Sequence, residues 1–221
     1  MEQIPLWILL AYALYEGLIH AFEADHVLAV TNIVSQRTTL LPALKDGVFW
    51  GLGHTSTIFV IGLLMIWLKT GIPSHVFSYF EAAVGLMLIA VAAYRIRVFL
   101  REEKRKKEGK PSASNAHLHK TSYGIGFVHG LAGSGALVVL VMAEIRILWH
   151  SMAYLLAFGL GSVAGMVVVA GLFGIPFSRK LVDSQKLRRG LVAISSGLCF
   201  AYGCYVIYTH LIAPEWTNFN N

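Results

Sequence analysis

Long apolar runs alternate with short polar stretches along the whole chain. Six runs can be marked, at about 5–27, 46–68, 76–99, 122–143, 150–174 and 190–212. Each is close to the roughly 20 apolar residues that carry a helix across a bilayer. The pattern predicts an all-α integral membrane protein with six transmembrane helices. The first run is too long for a cleaved signal peptide. It carries Glu16, His20 and Glu23 inside it, and no small-residue cleavage site follows a basic start.

Composition narrows the class further. Of 221 residues, 56% are hydrophobic and 14% charged, against roughly 45–50% and about 25% in soluble domains. No separate soluble domain of ordinary size fits beside the spans. The cysteines, Cys199 and Cys204, both lie in an apolar run and lack a C-x-x-C spacing. A disulfide framework, a Cys-rich metal site and a redox conduit are therefore excluded. No Gly-rich phosphate loop and no Ser-His-Asp order appears, so the chain is not expected to be an enzyme and no ATP site is expected.

The net charge of +6 would suit nucleic acid, but the basic residues are placed otherwise. Arg37 and Lys45 follow the first span. Nine more, from Arg95 to Lys120, surround the loop between spans 3 and 4. Arg179, Lys180, Lys186, Arg188 and Arg189 lie between spans 5 and 6. Thus 16 of the 18 Lys and Arg residues fall on one side. By the positive-inside rule that side is cytoplasmic, and both termini are extracytoplasmic. The stretch 101–110 reads as a solvated loop facing lipid headgroups, and no nucleic-acid partner is expected. His117 and His119 read as part of a polar linker.

The two halves of the chain resemble each other. Gly17 and His20 align with Gly126 and His129. Gly51-Leu-Gly-His54 aligns with Gly159-Leu-Gly-Ser162, and Gly85-Leu86 with Gly197-Leu198. The offsets are 109, 108 and 112 residues, in one order. The expected organisation is a three-helix repeat over 1–100, a basic cytoplasmic linker over 101–121 and a second three-helix repeat over 122–221. An odd number of spans per unit makes the repeats inverted. That arrangement is found in secondary transporters, whose sites lie near the midplane on broken helices.

Ionisable groups in a span cost roughly 2.5–3.5 kcal/mol each on insertion scales, yet here they concentrate. His20, Glu23, Asp25 and His26 lie within seven residues, with Glu16 one turn earlier, His54 in the next span and His129 in the fourth. Imidazole with carboxylate suits borderline divalent metals, and it also suits a proton relay. On a regular helix Asp25 and His26 would lie about 140° and about 240° around from His20. Convergence on one ion therefore requires a break or tightened turn near Ala24. His54 shares a face with Gly47 and Gly51, and His129 with Gly126 and Gly133, so both face packed protein. Gly133-Ser134-Gly135 is a candidate helix break, and Gly161 and Gly165 are expected to serve packing. Glu81 stands alone at the start of the third span and is expected to tolerate Gln.

The stretch His20-Ala-Phe-Glu-Ala-Asp25-His26 resembles the H-x4-D-H signature of the nickel/cobalt transporter family (NiCoT, within NicO). Gly51-Leu-Gly-His54-Thr-Ser-Thr is similar to that family's G-H-S-S/T motif in the following span. The resemblance implies a secondary transporter of a divalent transition-metal ion, nickel or cobalt. His20, Asp25, His26 and His54 would lie in the metal path, and His129 from the other repeat would complete or gate it. The ion is cargo; no resident cofactor is implied. Protons displaced from histidines would couple affinity to pH. The expected surroundings are a lipid bilayer, in a bacterial inner membrane, and a homo-oligomer is compatible with the sequence. Two other readings keep these residues: a proton-coupled transporter of a small organic or oxyanion solute, and a membrane metal-binding accessory protein without flux.

Overall fold

The computed structural model describes residues 5–37, 39–68, 74–110, 119–131, 148–177 and 185–213, and these contain no strand. The helices are α1 (Leu6–His20), α2 (Ala24–Val34), α3 (Leu40–Leu68), α4 (Ser74–Lys107), α5 (119–131), α6 (Leu148–Gly174) and α7 (Gln185–Ile207). A 3-10 turn, Ile175–Phe177, follows α6, and a π-helical turn, Tyr208–Ile212, follows α7. Pro42 sits in the first turn of α3, where its missing N–H costs nothing.

Among the described residues, four helices are long and apolar enough to cross a membrane: Leu40–Met65, Val76–Lys107, Leu148–Phe177 and Lys186–Leu211. The first expected span is a bent pair, α1 and α2, turning by 58°. It reaches Val34, seven residues beyond the expected end. The span expected at 122–143 lies largely outside the described residues, and α5 is its first part. Gly133-Ser134-Gly135 also lies outside them.

The basic stretch 101–110 differs from its reading as a loop. It continues α4 to Lys107, because Glu102, Glu103, Lys104 and Arg105 are good helix formers and cations favour a helix C-terminus. Gly109, at φ 68°, ends it. The Lys110 N–H donates to Arg105 O and the Gly109 N–H to Lys106 O, a Schellman closure. Glu103 pairs with Arg189 at the start of α7.

Glycines set how closely the helices approach. A Cβ on Gly17 of α1 would fall 2.0 Å from the Phe158 carbonyl oxygen of α6, and one on Gly161 would fall 2.1 Å from Leu14 O. The same contacts recur between α5 and α3. A Cβ on Gly126 would fall 2.2 Å from Trp50 O, and one on Gly53 2.2 Å from Tyr123 O. Phe158 follows Trp50 by 108 residues and Tyr123 follows Leu14 by 109. Gly51 meets Val163, and Gly159 meets Thr55. Gly47 and Gly165 close the same α3–α6 and α1–α6 contacts, and Gly85 and Gly203 bring α4 against α7.

Polar side chains tie α2 into this frame. Asn32 donates from Nδ2 to Ser195 O at 3.2 Å and accepts from Ser196 Oγ at 2.8 Å. Arg95 of α4 donates from Nη2 to Ser35 O at 2.9 Å and from Nε to Ser35 Oγ, so a cation sits on the C-terminal end of α2. Just beyond it, Arg37 grips Asp46 with two hydrogen bonds of 2.5 and 2.8 Å. His119 Nδ1 at 2.7 Å and Ser122 Oγ at 3.1 Å donate to the same carboxylate. Asp46 is 1% exposed. His119 therefore belongs to a buried network, not to a polar linker.

Three stability outcomes follow. Gly17→Ala places a methyl group against backbone that cannot move aside, and should cost about 1–3 kcal/mol. Gly124→Ala, on the open face of α5 with nothing within 4 Å, should be neutral or stabilise by about 0.5–1 kcal/mol. Asp46→Ala strands Arg37 in a buried site and should cost on the order of 3 kcal/mol or more. Thermal unfolding of the detergent-solubilised protein, followed by circular dichroism, ranks the three. Equal midpoints for Gly17→Ala and Gly124→Ala would contradict the close contact.

Candidate metal centre

The centre is built at the break in the first span. The Phe22 N–H donates to Ile19 O and the Glu23 N–H to His20 O, closing α1 with a tight turn. Glu23 is extended, with ψ 151°, and α2 restarts at Ala24. This is the interruption that convergence of His20 with Asp25 and His26 requires. Ala21 in the turn is fully buried, and a Cβ on Gly165 would fall 2.6 Å from its Cβ, so α6 presses directly on the turn. Irregular backbone at membrane depth persists where protein or a cavity covers it.

The turn places His20 in the last turn of α1 and Asp25 and His26 in the first turn of α2. α3 brings His54 and α5 brings His129. His26 sits at the middle. Its ring centroid is 3.9 Å from that of His129, 4.5 Å from His20 and 5.1 Å from His54. All five predicted residues therefore meet, and His26, His54 and His129 are at most 1% exposed.

They form two overlapping sets. His20, His26 and His54 each offer a ligand atom within 4.8 Å of the others, as do Asp25, His26 and His129. Asp25 joins the second set by hydrogen bonds. His26 Nδ1 donates to Asp25 Oδ1 at 2.9 Å, and His129 Nε2 donates to Oδ2 at 2.8 Å. His20 Nδ1 donates to Glu23 Oε1 at 2.9 Å. A carboxylate only accepts, so these bonds hold the proton on Nδ1 of His20 and His26 and leave Nε2 as a lone pair. Both Nε2 atoms are buried without a partner, as are both ring nitrogens of His54 and Nδ1 of His129. Unpartnered buried polar atoms are costly and rare, and here they cluster.

The chemistry of this set fits a borderline divalent cation. Three neutral imidazoles are suitable nitrogen donors for nickel, cobalt or zinc. Such bonds are roughly 2.0–2.2 Å long, and the ligand atoms of His20, His26 and His54 lie within 4.8 Å of one another. A carboxylate on the far nitrogen of a ligating histidine fixes its tautomer and raises its basicity. Glu23 does this for His20 and Asp25 for His26. Sequence reasoning missed that role for Glu23. The signal was present, because Glu23 lies three residues after His20 and so on the same face. Trp50 stacks parallel to His26 with centroids 6.3 Å apart, and Phe158 lies 5.4 Å from His20. These rings wall the histidines from water.

Of the five residues, Asp25 alone lines a cavity of about 350 Å³ between α2, α4 and α7. Glu81, Tyr202, Tyr205, Thr209 and His210 line it too. Glu81 is thus not alone, as the sequence suggested: the chain folds His210, 129 residues away, onto the same cavity.

Comparison with known proteins places the chain. No protein-family profile matches it, and no solved structure is similar to it. The urease accessory protein UreH of Bacillus sp. (strain TB-90) is 34% identical, over 94% of this chain and 94% of its own length. A Methanocaldococcus jannaschii protein named for nickel/cobalt efflux is 26% identical over 86% of this chain and 88% of its own length. The nickel transporter NixA of Staphylococcus aureus is 30% identical over 41% of this chain and 31% of its own length. With a relative matched at this level from end to end, and the break-borne His20, Asp25 and His26 beside His54, the chain belongs to the nickel/cobalt transporter family.

Proposed function

We propose that the protein is a secondary transporter of a divalent transition-metal ion, nickel or cobalt, bound as cargo by His20, His26 and His54. One observation carries this reading: imidazoles from three helices, two of them buried and one partly so, offer unpartnered nitrogens within 4.8 Å of one another. Asp25 and Glu23 act mainly by orienting the ligands. His26 belongs to both sets, so an ion can pass from His20 and His54 to Asp25 and His129 while keeping one ligand. Asp25 then faces the cavity.

We further propose six spans in two inverted repeats. The recurrence of the Gly17–Phe158 and Gly161–Leu14 contacts as Gly126–Trp50 and Gly53–Tyr123 supports this. The basic loops favour extracytoplasmic termini in a bacterial inner membrane. In that orientation the cavity opens outward, at the end of α4 away from Lys104–Lys107. The Arg37–Asp46–His119 network lies on the cytoplasmic side. Access from one side at a time is the requirement of a gradient-driven carrier.

A second reading is favoured by the name of the full-length relative, an accessory protein: metal binding without flux. Ni²⁺ uptake into proteoliposomes separates the two. The transporter reading expects saturable flux in the parent and none in His26→Ala or His54→Ala. Asp25→Asn should keep the fold and lower apparent Ni²⁺ affinity about 10- to 100-fold, as loss of an orienting carboxylate does. Tight Ni²⁺ binding with no flux would favour the accessory reading. Flux of the parent size in His26→Ala and His54→Ala would remove the site. A reporter fused after Asn221 that is active only in the cytoplasm should be silent; activity there would reverse the topology.

A further inference from the structure

We propose that Glu81 and His210 form a second, weaker divalent-cation site in the cavity outside Asp25, where a partly hydrated ion pauses between water and the buried histidines. The inference rests on the transporter reading above and names a station that reading does not require.

Glu81 is a carboxylate in a membrane-spanning helix, where an acidic group is retained only at a cost. It is half-buried, lines the cavity, and has no hydrogen-bond or ion-pair partner among the described residues. It therefore lacks the structural role that Asp46 has in its ion pair. His210 lines the same cavity from the π-helical turn that packs against α4. Widened turns of this kind are frequent at functional sites. Here the widening has a local cause. Thr209 Oγ donates to Tyr205 O at 3.0 Å, and His210 Nδ1 donates to Val206 O at 3.0 Å, so side chains compete for the last carbonyls of α7. The second bond keeps the proton on Nδ1 and leaves Nε2 as a free lone pair.

The pairing repeats the chemistry of the buried centre: one imidazole nitrogen oriented by an oxygen acceptor, and one carboxylate oxygen. With only two protein ligands, an ion here keeps several waters and binds weakly. About 350 Å³ leaves room for them. Asp25 lines the same cavity and bonds to His26 and His129, so it joins the cavity to the buried histidines. The titratable groups lining the cavity are Asp25, Glu81, Tyr202, Tyr205 and His210.

Ni²⁺ binding to the full chain in lipid nanodiscs, by equilibrium dialysis with radioactive nickel, tests this. The parent should show a tight and a weak class. Glu81→Gln and His210→Ala should each weaken the weak class by about tenfold or more while the tight class stays within about twofold. The retained tight class shows that those variants fold. His54→Ala should do the reverse. A weak class unchanged in Glu81→Gln and His210→Ala, or a parent with the tight class alone, overturns the second site and leaves the transporter reading intact. A parent without a tight class that depends on His54 overturns both.

Discussion

A carboxylate in a membrane-spanning helix is retained only where donors meet it, and Asp25 takes two. His26 and His129 both donate to it, one from its own helix and one from α5. That shared acceptor fixes the position of α5 against α2, orients His26, and leaves the Nε2 of His26 bare toward His20 and His54. The rest of the architecture serves this contact. Without the turn at Ala21–Glu23, His20 and His26 would point to different sides of one helix. Without Gly126 and Gly53, α5 would stand too far from α3 for His129 and His54 to belong to one cluster, since a single Cβ at either glycine collides with backbone.

Those glycines also explain how a strongly apolar chain achieves a specific fold. Lipid is as apolar as leucine, so burial alone does not choose partners for helices in a bilayer. Close backbone approach at small residues does, assisted by hydrogen bonds such as Thr57 Oγ to Phe127 O at 2.7 Å and Thr55 Oγ to Gly159 O at 3.1 Å. The contacts of α1 on α6 match those of α5 on α3 almost residue for residue, yet the polar groups do not match. Ser162 stands where His54 would be repeated, and Asp46 has its network on one side only.

Much of this was legible in the sequence. The crowding of His20, Glu23, Asp25 and His26 in one apolar run marked the site, because such groups are expelled from spans unless they pair or bind. The helical angle between His20 and His26 required the break that the structure has. The partners of Asp25 were not legible. A one-dimensional pattern says that Asp25 and His129 are polar in a membrane, not that one accepts a hydrogen bond from the other across 104 residues. Glu81 was misjudged for the same reason: isolation along the chain was taken for isolation in space, while the end of α7 brings His210 to it. His119 was read from its polar neighbours, although its burial is set by Asp46, 73 residues earlier. The helical run to Lys107 was hidden by charge, which marks the end of a span but not the end of a helix.

Charge balance is the constraint that links the site to its cargo. A doubly charged ion surrounded only by neutral imidazoles would carry its full charge into low dielectric, at a cost no three nitrogen bonds are arranged to offset alone. Asp25 and Glu23 each sit one hydrogen bond behind a ligand, so the loaded centre carries two negative charges against two positive ones. The empty centre holds the same two carboxylates, Asp25 met by N–H donors of His26 and His129 and the exposed Glu23 by that of His20. On the transporter reading, the carboxylate charge is in place before the ion arrives, and the unpartnered Nε2 atoms of His20 and His26 are open to it. The same hydrogen bonds that fix the tautomers of His20 and His26 thus also bring negative charge next to the nitrogens an ion would bind.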